Sequence, residues 1–166
     1  MSSREIASGL KFPEGPVAMA DGSVLVVEIA AGTITRIKAN GKKQRIANPG
    51  GGPNGLAIGP DGALYVCNNG GSFEFHKRTG LLIPGHAPAS HLGGRIERVD
   101  LSAGKIEILY DSCDGARLIA PNDLVFDGSG GFWFTDHGKT TALATRTARF
   151  ITRGLTVPAS RGSSAS

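Results

Sequence analysis

Nearly continuous apolar runs, each following a glycine turn, recur along the chain. The runs are Val24–Val27, Leu64–Cys67 and Phe132–Phe134. Each is preceded by a further apolar segment and a turn pair: Asp21-Gly22, Asp61-Gly62 or Gly130-Gly131. Such turn pairs between apolar segments are typical of β-hairpins, and strands without polar alternation are usually buried on both faces. The pattern therefore predicts three hairpins with interior second strands, and no helical period of useful length accompanies them.

The hairpins belong to an internal repeat of three equally long segments that align without a gap. Each has proline second and glycine eleventh. The segments are FPEGPVAMADGSVLVVE (12–28), GPNGLAIGPDGALYVCN (52–68) and APNDLVFDGSGGFWFTD (120–136). A second hairpin, beginning Gly-x-Ile-x-Arg, follows two of them at Gly32 and Gly94. Two hairpins supply four antiparallel strands, so each repeat is predicted to form one blade of a β-propeller.

The spacing of the repeated prolines sets the predicted blade limits. Pro13 and Pro53 are 40 residues apart, and Pro53 and Pro121 are 68 apart, which indicates an insertion in the second blade. The predicted segments are blade 1 at about 10–47, blade 2 at about 48–112 with an inserted loop at 70–93, and the start of blade 3 at about 113–138. We therefore expect an all-β chain with two and a half to three blades of a truncated propeller.

The basic charge is confined to the end of the chain. Residues 1–138 contain 13 Lys and Arg against 14 Asp and Glu, whereas residues 139–166 contain five basic residues and no acidic one. The first part thus lacks the basic surface that nucleic-acid binding requires. Because the repeat pattern also stops near Gly138, residues 139–166 are predicted to be a disordered or frame-shifted tail, and a basic arm on an anionic surface is the less common alternative.

Targeting features are absent from the sequence, which predicts a cytoplasmic protein without a membrane partner. No run of 18 apolar residues occurs, and the N-terminal segment lacks the apolar core of a signal peptide. The cysteines, Cys67 and Cys113, are too few for a disulfide framework and lack the paired spacing of a zinc site.

Two columns of the repeat contain candidate site residues. The third position of each repeat holds Glu14, Asn54 or Asn122, and these residues directly follow the repeated prolines. Equivalent positions of successive blades ring the central axis, so these oxygen-bearing side chains could bind one hard cation such as Ca²⁺. Turn capping explains the same residues equally well. The seventeenth column holds Glu28, Asn68 and Asp136; it either orients metal ligands or, as the pattern favours, caps strand ends.

The remaining candidates are histidines and one tryptophan. His137 follows Asp136 and is predicted to line the site, where it could contact substrate or transfer protons. Three histidines lie in the insertion, where a surface position is the commoner explanation and a lid over a pocket the alternative. They are His76, His86 and His91. Trp133 is predicted to be a core residue.

Three motifs, taken in order, resemble the SMP-30/gluconolactonase/LRE-like family over about residues 10–138. They are EGPV at Glu14–Val17, PNGLAIGPDGALYVCNNGG at Pro53–Gly71 and PNDLVFDGSGGFWFTDHG at Pro121–Gly138. The resemblance implies a six-bladed propeller with one divalent metal, usually calcium, near its axis. Members of the family include sugar-lactone hydrolases, regucalcin-like proteins and a phosphotriester hydrolase.

The resemblance also assigns roles. It implies that Glu14 and Asn122 are metal ligands and that Asn54 lines the site. A further asparagine and the acid/base aspartate of the family come from later blades and have no match here, so the catalytic residue is unknown. The implied activity is calcium-dependent hydrolysis of a small-molecule sugar lactone, in which the cation polarises the lactone carbonyl.

Three interpretations of this chain remain open. It is a truncated copy of such a hydrolase with reduced or no activity, a non-catalytic segment that binds a partner through an exposed blade edge, or a decayed fragment without function. Because an open arc of blades exposes strand edges and apolar surface, self-association is also expected.

Overall fold

The computed structural model describes residues 3–140, 145–146 and 149–156, and these residues form strands without any α-helix. Among them no helix is long and apolar enough to cross a membrane. The first blade is a four-stranded antiparallel sheet in which neighbours in sequence pair. Its strands are β1 Pro13–Ala18, β2 Val24–Glu28, β3 Thr33–Ile37 and β4 Lys43–Ala47, with a 3₁₀ turn at Ile29–Ala31.

The second blade has the same plan, with a hairpin inserted between its second and third strands. The strands of this region are β5 Pro53–Ile58, β6 Leu64–Asn68, β7 Phe75–Arg78, β8 Leu81–Pro84, β9 Arg95–Val99 and β10 Ile106–Tyr110. The blade sheet runs β5-β6-β9-β10, while β7 and β8 pair only with each other. The predicted inserted loop thus contains a two-stranded hairpin.

The third blade continues beyond the predicted end of the pattern near Gly138. The strands of this region are β11 Ser112–Cys113, β12 Ala116–Arg117, β13 Pro121–Phe126, β14 Gly131–Asp136, β15 Lys139–Thr140, β16 Thr145–Arg146 and β17 Arg149–Thr156. The blade sheet runs β13-β14-β17, while β11 pairs with β12 and β15 pairs with β16. β17 pairs antiparallel with β14, from Asp136 opposite Arg149 to Gly131 opposite Thr156. It supplies a third blade strand that the sequence pattern did not predict. The rest of the predicted tail, residues 141–144, 147–148 and 157–166, lies outside the described residues.

Apolar side chains pack in two clusters, one on each side of the second blade. Leu64 and Val66 of β6 join the cluster shared with blade 1, whereas Tyr65 and Cys67 join the cluster shared with blade 3. All five residues of β6 are buried. This strand therefore confirms the prediction of burial on both faces, and its side-chain alternation joins three blades into one packed unit.

The prediction that Trp133 lies in the core is wrong. Phe132 and Phe134 face blade 2 and are buried, so the alternation of β14 turns Trp133 to the opposite face. There Trp133 is 42% exposed and its cross-strand partner Val125 is 62% exposed. The apolar run indicated two buried faces, but among the described residues no further blade covers this one.

Two glycines allow the innermost strands of successive blades to touch. β1 lies against β5, and β5 lies against β13. A Cβ added to Gly15 would come within 2.8 Å of the Asn54 carbonyl oxygen, and one added to Gly55 within 2.5 Å of the Asp123 Cα. These distances are too short for real Cβ contacts, so only glycine permits this packing.

We predict that Gly55→Ala destabilises the protein by about 1–3 kcal/mol, because the new methyl group must push β5 and β13 apart. Urea unfolding measures the change. Gly128→Ala is the matched control, since a Cβ at Gly128 meets nothing within 4 Å and its backbone is not left-handed. Equal stability of the two variants would contradict the close strand approach.

Candidate functional site

The sequence-predicted site residues line one cleft of about 380 Å³ where the inner strands begin. Glu14, Asn54, Asn122 and His137 all contribute to its wall. Asn54 is buried, Asn122 is half-buried, and Glu14 and His137 are exposed. The structure therefore brings the third column of the repeat together from three blades.

The third-column side chains make no hydrogen bonds or ion pairs with other described residues. This applies to the carboxylate of Glu14 and to the amides of Asn54 and Asn122. A turn-capping residue would accept a nearby backbone N–H. Since no such bond is present among the described residues, the oxygen atoms of these side chains are available to a ligand in the cleft.

The chemistry of this donor set fits a hard cation. Glu14 offers a carboxylate, Asn54 and Asn122 offer amide oxygens, and the carboxylate of Asp123 lies on the same cleft. Oxygen ligands of this kind suit calcium, whereas structural zinc sites use cysteine and histidine. Over the described ranges, no cluster of three or more His, Cys, Asp and Glu residues could hold a metal ion. A cation here would therefore depend on the amide oxygens as well as on carboxylates.

Asp123 was missed by the sequence analysis. It occupies the fourth column, where the first two repeats have Gly15 and Gly55. Those glycines pack against the next inner strand, whereas Asp123 is exposed and its Oδ1 accepts the Leu124 N–H at 2.9 Å. The replacement of glycine by aspartate at this position of the third repeat is the sequence signal that could have identified Asp123.

The seventeenth column caps strand ends, as the sequence pattern favoured. Glu28 Oε2 accepts the Lys11 N–H at 2.8 Å, and Asn68 Oδ1 accepts the Gly52 N–H at 3.0 Å. Each of these N–H groups lies one or two residues before the proline that starts an inner strand. The end of each second strand is thereby tied to the segment that presents the third-column residue.

Asp136 makes the most extensive of these caps. Its Oδ2 accepts the Ile119 N–H at 2.7 Å, and its Oδ1 accepts the N–H groups of Ala120 at 2.8 Å and Gly138 at 2.9 Å. These bonds fix the chain immediately before Pro121 and immediately after His137. Asp136 thus fixes the two chain segments that border the cleft, although its own side chain is not part of the cleft wall.

A buried carboxylate fixes the corresponding cap of blade 2. Asn68 Nδ2 donates to Glu97 Oε2 at 3.0 Å, and Arg95 Nε donates to Glu97 Oε1 at 2.6 Å. Burial raises the pKa of Glu97, while the bonds from Asn68 and the charge of Arg95 act in the opposite direction. Every polar atom of the Asn68 side chain is therefore engaged in holding the strand end.

The insertion contributes wall residues to the site region. Phe73 and Pro84 line the cleft, and His86 lines a smaller cavity beside it. His91 Nε2 lies 2.8 Å from the Asn69 carbonyl oxygen, and burial is the main cause of its lowered pKa. His76 is exposed on the inserted hairpin. The insertion histidines thus occupy three different environments.

A family model described as SMP-30/gluconolactonase/LRE-like region matches residues 12–155, which is most of the chain. The chain belongs to the SMP-30/gluconolactonase/LRE-like family. The match extends into β17, beyond the limit near residue 138 that the motifs alone suggested. It therefore includes all three blades and the whole cleft.

Known proteins of the gluconolactonase type resemble this family member in sequence and in fold. It is 28% identical over 147 residues to a gluconolactonase from Zymomonas mobilis, an alignment that covers 79% of this chain and 35% of the relative. A gluconolactonase structure from Xanthomonas campestris superposes with a TM-score of 0.60 at 21% identity, over 79% of this chain and 37% of the other.

Two further structures support the propeller fold. A putative gluconolactonase gives a TM-score of 0.59 at 25% identity, covering 80% of this chain and 39% of the other. Virginiamycin B lyase from Staphylococcus aureus superposes with a TM-score of 0.53 at 20% identity, covering 90% of this chain and 43% of the other. The all-β propeller prediction is confirmed. The chain spans between about a third and two fifths of the length of its gluconolactonase relatives.

We predict that Asp136→Ala lowers the free energy of unfolding by about 2–4 kcal/mol, since it leaves backbone N–H groups near the cleft without acceptors. Thermal unfolding followed by circular dichroism measures the loss. Asp111→Ala is the control, because Asp111 is exposed and, within the described ranges, its side chain accepts only the Ser112 hydroxyl. A similar small effect in both variants would contradict the anchoring role of Asp136.

Proposed function

We propose that this chain carries the metal- and lactone-binding part of a sugar-lactone hydrolase of the gluconolactonase type. Glu14 and Asn122 would bind Ca²⁺, and Asn54 and His137 would line the substrate site. The observation that carries the proposal is the shared cleft, which gathers the third column from three blades with its oxygen atoms unpaired among the described residues. The likeness to gluconolactonases supplies the substrate class.

The proposed reaction adds one water molecule to the lactone. The water oxygen bonds to the carbonyl carbon, the ring C–O bond breaks, and the ring oxygen takes up a proton, which gives a hydroxy acid. A bound divalent cation would supply Lewis acidity at the lactone carbonyl oxygen.

The residues of this chain would bind and orient the reactants. Glu14 and Asn122 would hold the cation, and the Asn54 amide would donate to or accept from a polar group of the lactone. His137 is exposed at the cleft and would contact the substrate or transfer protons to and from it. The acid/base aspartate of the family has no match in this sequence, so no residue is assigned that role.

The proposal also concerns how fast this chain would hydrolyse a lactone. Because the chain spans only part of the length of its relatives, we expect reduced or no turnover from this polypeptide alone. The alternative is a non-catalytic segment that binds a partner through an exposed blade edge. The exposure of Val125 and Trp133 on one face of blade 3 favours that alternative. A cytoplasmic location stays a prediction.

We predict that the protein binds Ca²⁺ and that Glu14→Gln weakens this binding about tenfold or more, because it removes a negative ligand. Isothermal titration calorimetry measures the affinity. A pH-stat assay with D-glucono-1,5-lactone, with and without EDTA, measures any hydrolysis. Glu107→Gln, the same change on an exposed position of β10, is the control. Equal Ca²⁺ affinity in the two variants would contradict the assignment of Glu14.

A further inference from the structure

A second cavity, of about 160 Å³, adjoins the cleft and differs from it in charge. Asn54 and His137 line both spaces. The cleft also contains the carboxylates of Glu14 and Asp123, whereas no acidic residue of the described part of the chain lines the second cavity. Its polar side chains are the amides of Asn54 and Asn69, the Ser72 hydroxyl, the imidazoles of His86 and His137, and the Lys139 ammonium.

Asn69 is held in this cavity wall by almost all of its polar groups. Its N–H donates to the Gly52 carbonyl at 2.8 Å, and its carbonyl contacts His91 Nε2 at 2.8 Å. Its Oδ1 accepts the N–H groups of Gly71 at 2.9 Å and Ser72 at 3.0 Å. Because only oxygen can accept these two bonds, the orientation of the side-chain amide is fixed.

The Asn69 Nδ2 group is the exception. The residue is 1% exposed, and Nδ2 is buried without a hydrogen-bond partner among the described residues. A buried donor without an acceptor is unfavourable and rare in folded proteins. A ligand oxygen that enters the cavity would supply the missing acceptor.

The other groups of the cavity favour an anionic oxygen. The Lys139 ammonium donates to the Pro88 carbonyl at 3.1 Å and brings a positive charge to the wall. The nearest acidic side chain in sequence, Asp136, already accepts three backbone N–H groups. A carboxylate, which only accepts hydrogen bonds when ionised, matches a wall of donors and positive charge.

We propose that this cavity is a carboxylate-binding subsite in which Asn69 Nδ2 and Lys139 contact the ligand oxygens. The preference for a carboxylate follows from the cavity alone. Its identification with the carboxylate of the hydroxy-acid product rests on the proposed function. Under that function, opening of the lactone ring would create a carboxylate beside this cavity, whose polar groups suit a negative charge.

Calorimetric titration with sodium D-gluconate and with D-sorbitol, both in EDTA, tests the subsite. These probes differ in a single group, a carboxylate against a hydroxymethyl group. We expect gluconate to bind at least tenfold more tightly than sorbitol. Asn69→Asp keeps the acceptor for Gly71 and Ser72 but replaces the donor by a negative charge, so it should weaken gluconate binding at least tenfold.

Asn40→Asp is the matched control. Asn40 lies on an exposed turn, where its Oδ1 accepts the Lys42 N–H at 3.0 Å, and the substitution adds the same charge to the protein. We expect gluconate affinity to be unchanged in this variant. Lys139→Gln should weaken gluconate binding several-fold. If Asn69→Asp fails to fold, the gluconate affinity of Lys139→Gln alone tests the subsite.

Three results would overturn the subsite. They are equal affinity for gluconate and sorbitol, gluconate affinity that is unchanged in both Asn69→Asp and Lys139→Gln, and, in a parallel titration with Ca²⁺ in place of EDTA, gluconate binding that occurs only with Ca²⁺ and is lost in Glu14→Gln. The last would place the carboxylate on the cation. The titrations in EDTA involve neither a divalent ion nor turnover, so they test the subsite even if the protein does not hydrolyse lactones. Absence of lactone hydrolysis would count against the proposed function alone.

Discussion

Gly15 and Gly55 set the distance between the inner strands of adjacent blades, because each carries a hydrogen atom where any other residue would carry a Cβ. The atoms that a Cβ would meet belong mainly to the backbone of the next strand, which cannot move away without moving its blade. These glycines directly follow Glu14 and Asn54. The packing that joins the blades therefore also determines how closely the side chains of the cleft approach one another, and the fold and the site geometry are set by the same contact.

Hydrogen bonding then separates side chains that position the chain from those that can bind a ligand. Asp136 and Asn68 use their side-chain polar atoms to fix the segments before the inner strands. Asn54 and Asn122, of similar chemistry, have no partners among the described residues and line the cleft. Residue type alone does not distinguish these roles. The distinction arises because one column closes a strand next to backbone donors, while the other follows a proline at the start of a strand.

The repeat made much of this arrangement predictable. Equal spacing of Pro13, Pro53 and Pro121 from their glycine turns gives the register of each hairpin, and so the columns that meet at the cleft. β17 was missed because Arg149–Thr156 carries neither the Gly-x-Ile-x-Arg start nor a preceding Asp-Gly turn. The exposure of Trp133 was missed because burial of a strand face depends on the neighbouring blade, which local sequence does not encode. The unpaired amide of Asn69 depends in the same way on contacts with distant segments.

The central claim is that one cation binds where the inner strands of the blades converge. Titration of the isotopically labelled protein with substoichiometric Mn²⁺, followed by NMR, tests it most directly, because the paramagnetic ion broadens signals of nearby nuclei. The account predicts early loss of the side-chain amide signals of both Asn54 and Asn122, while the corresponding signal of Asn40, on its exposed turn, persists. Broadening near exposed carboxylates such as Asp111, with the Asn54 and Asn122 signals intact, would contradict a shared cation site.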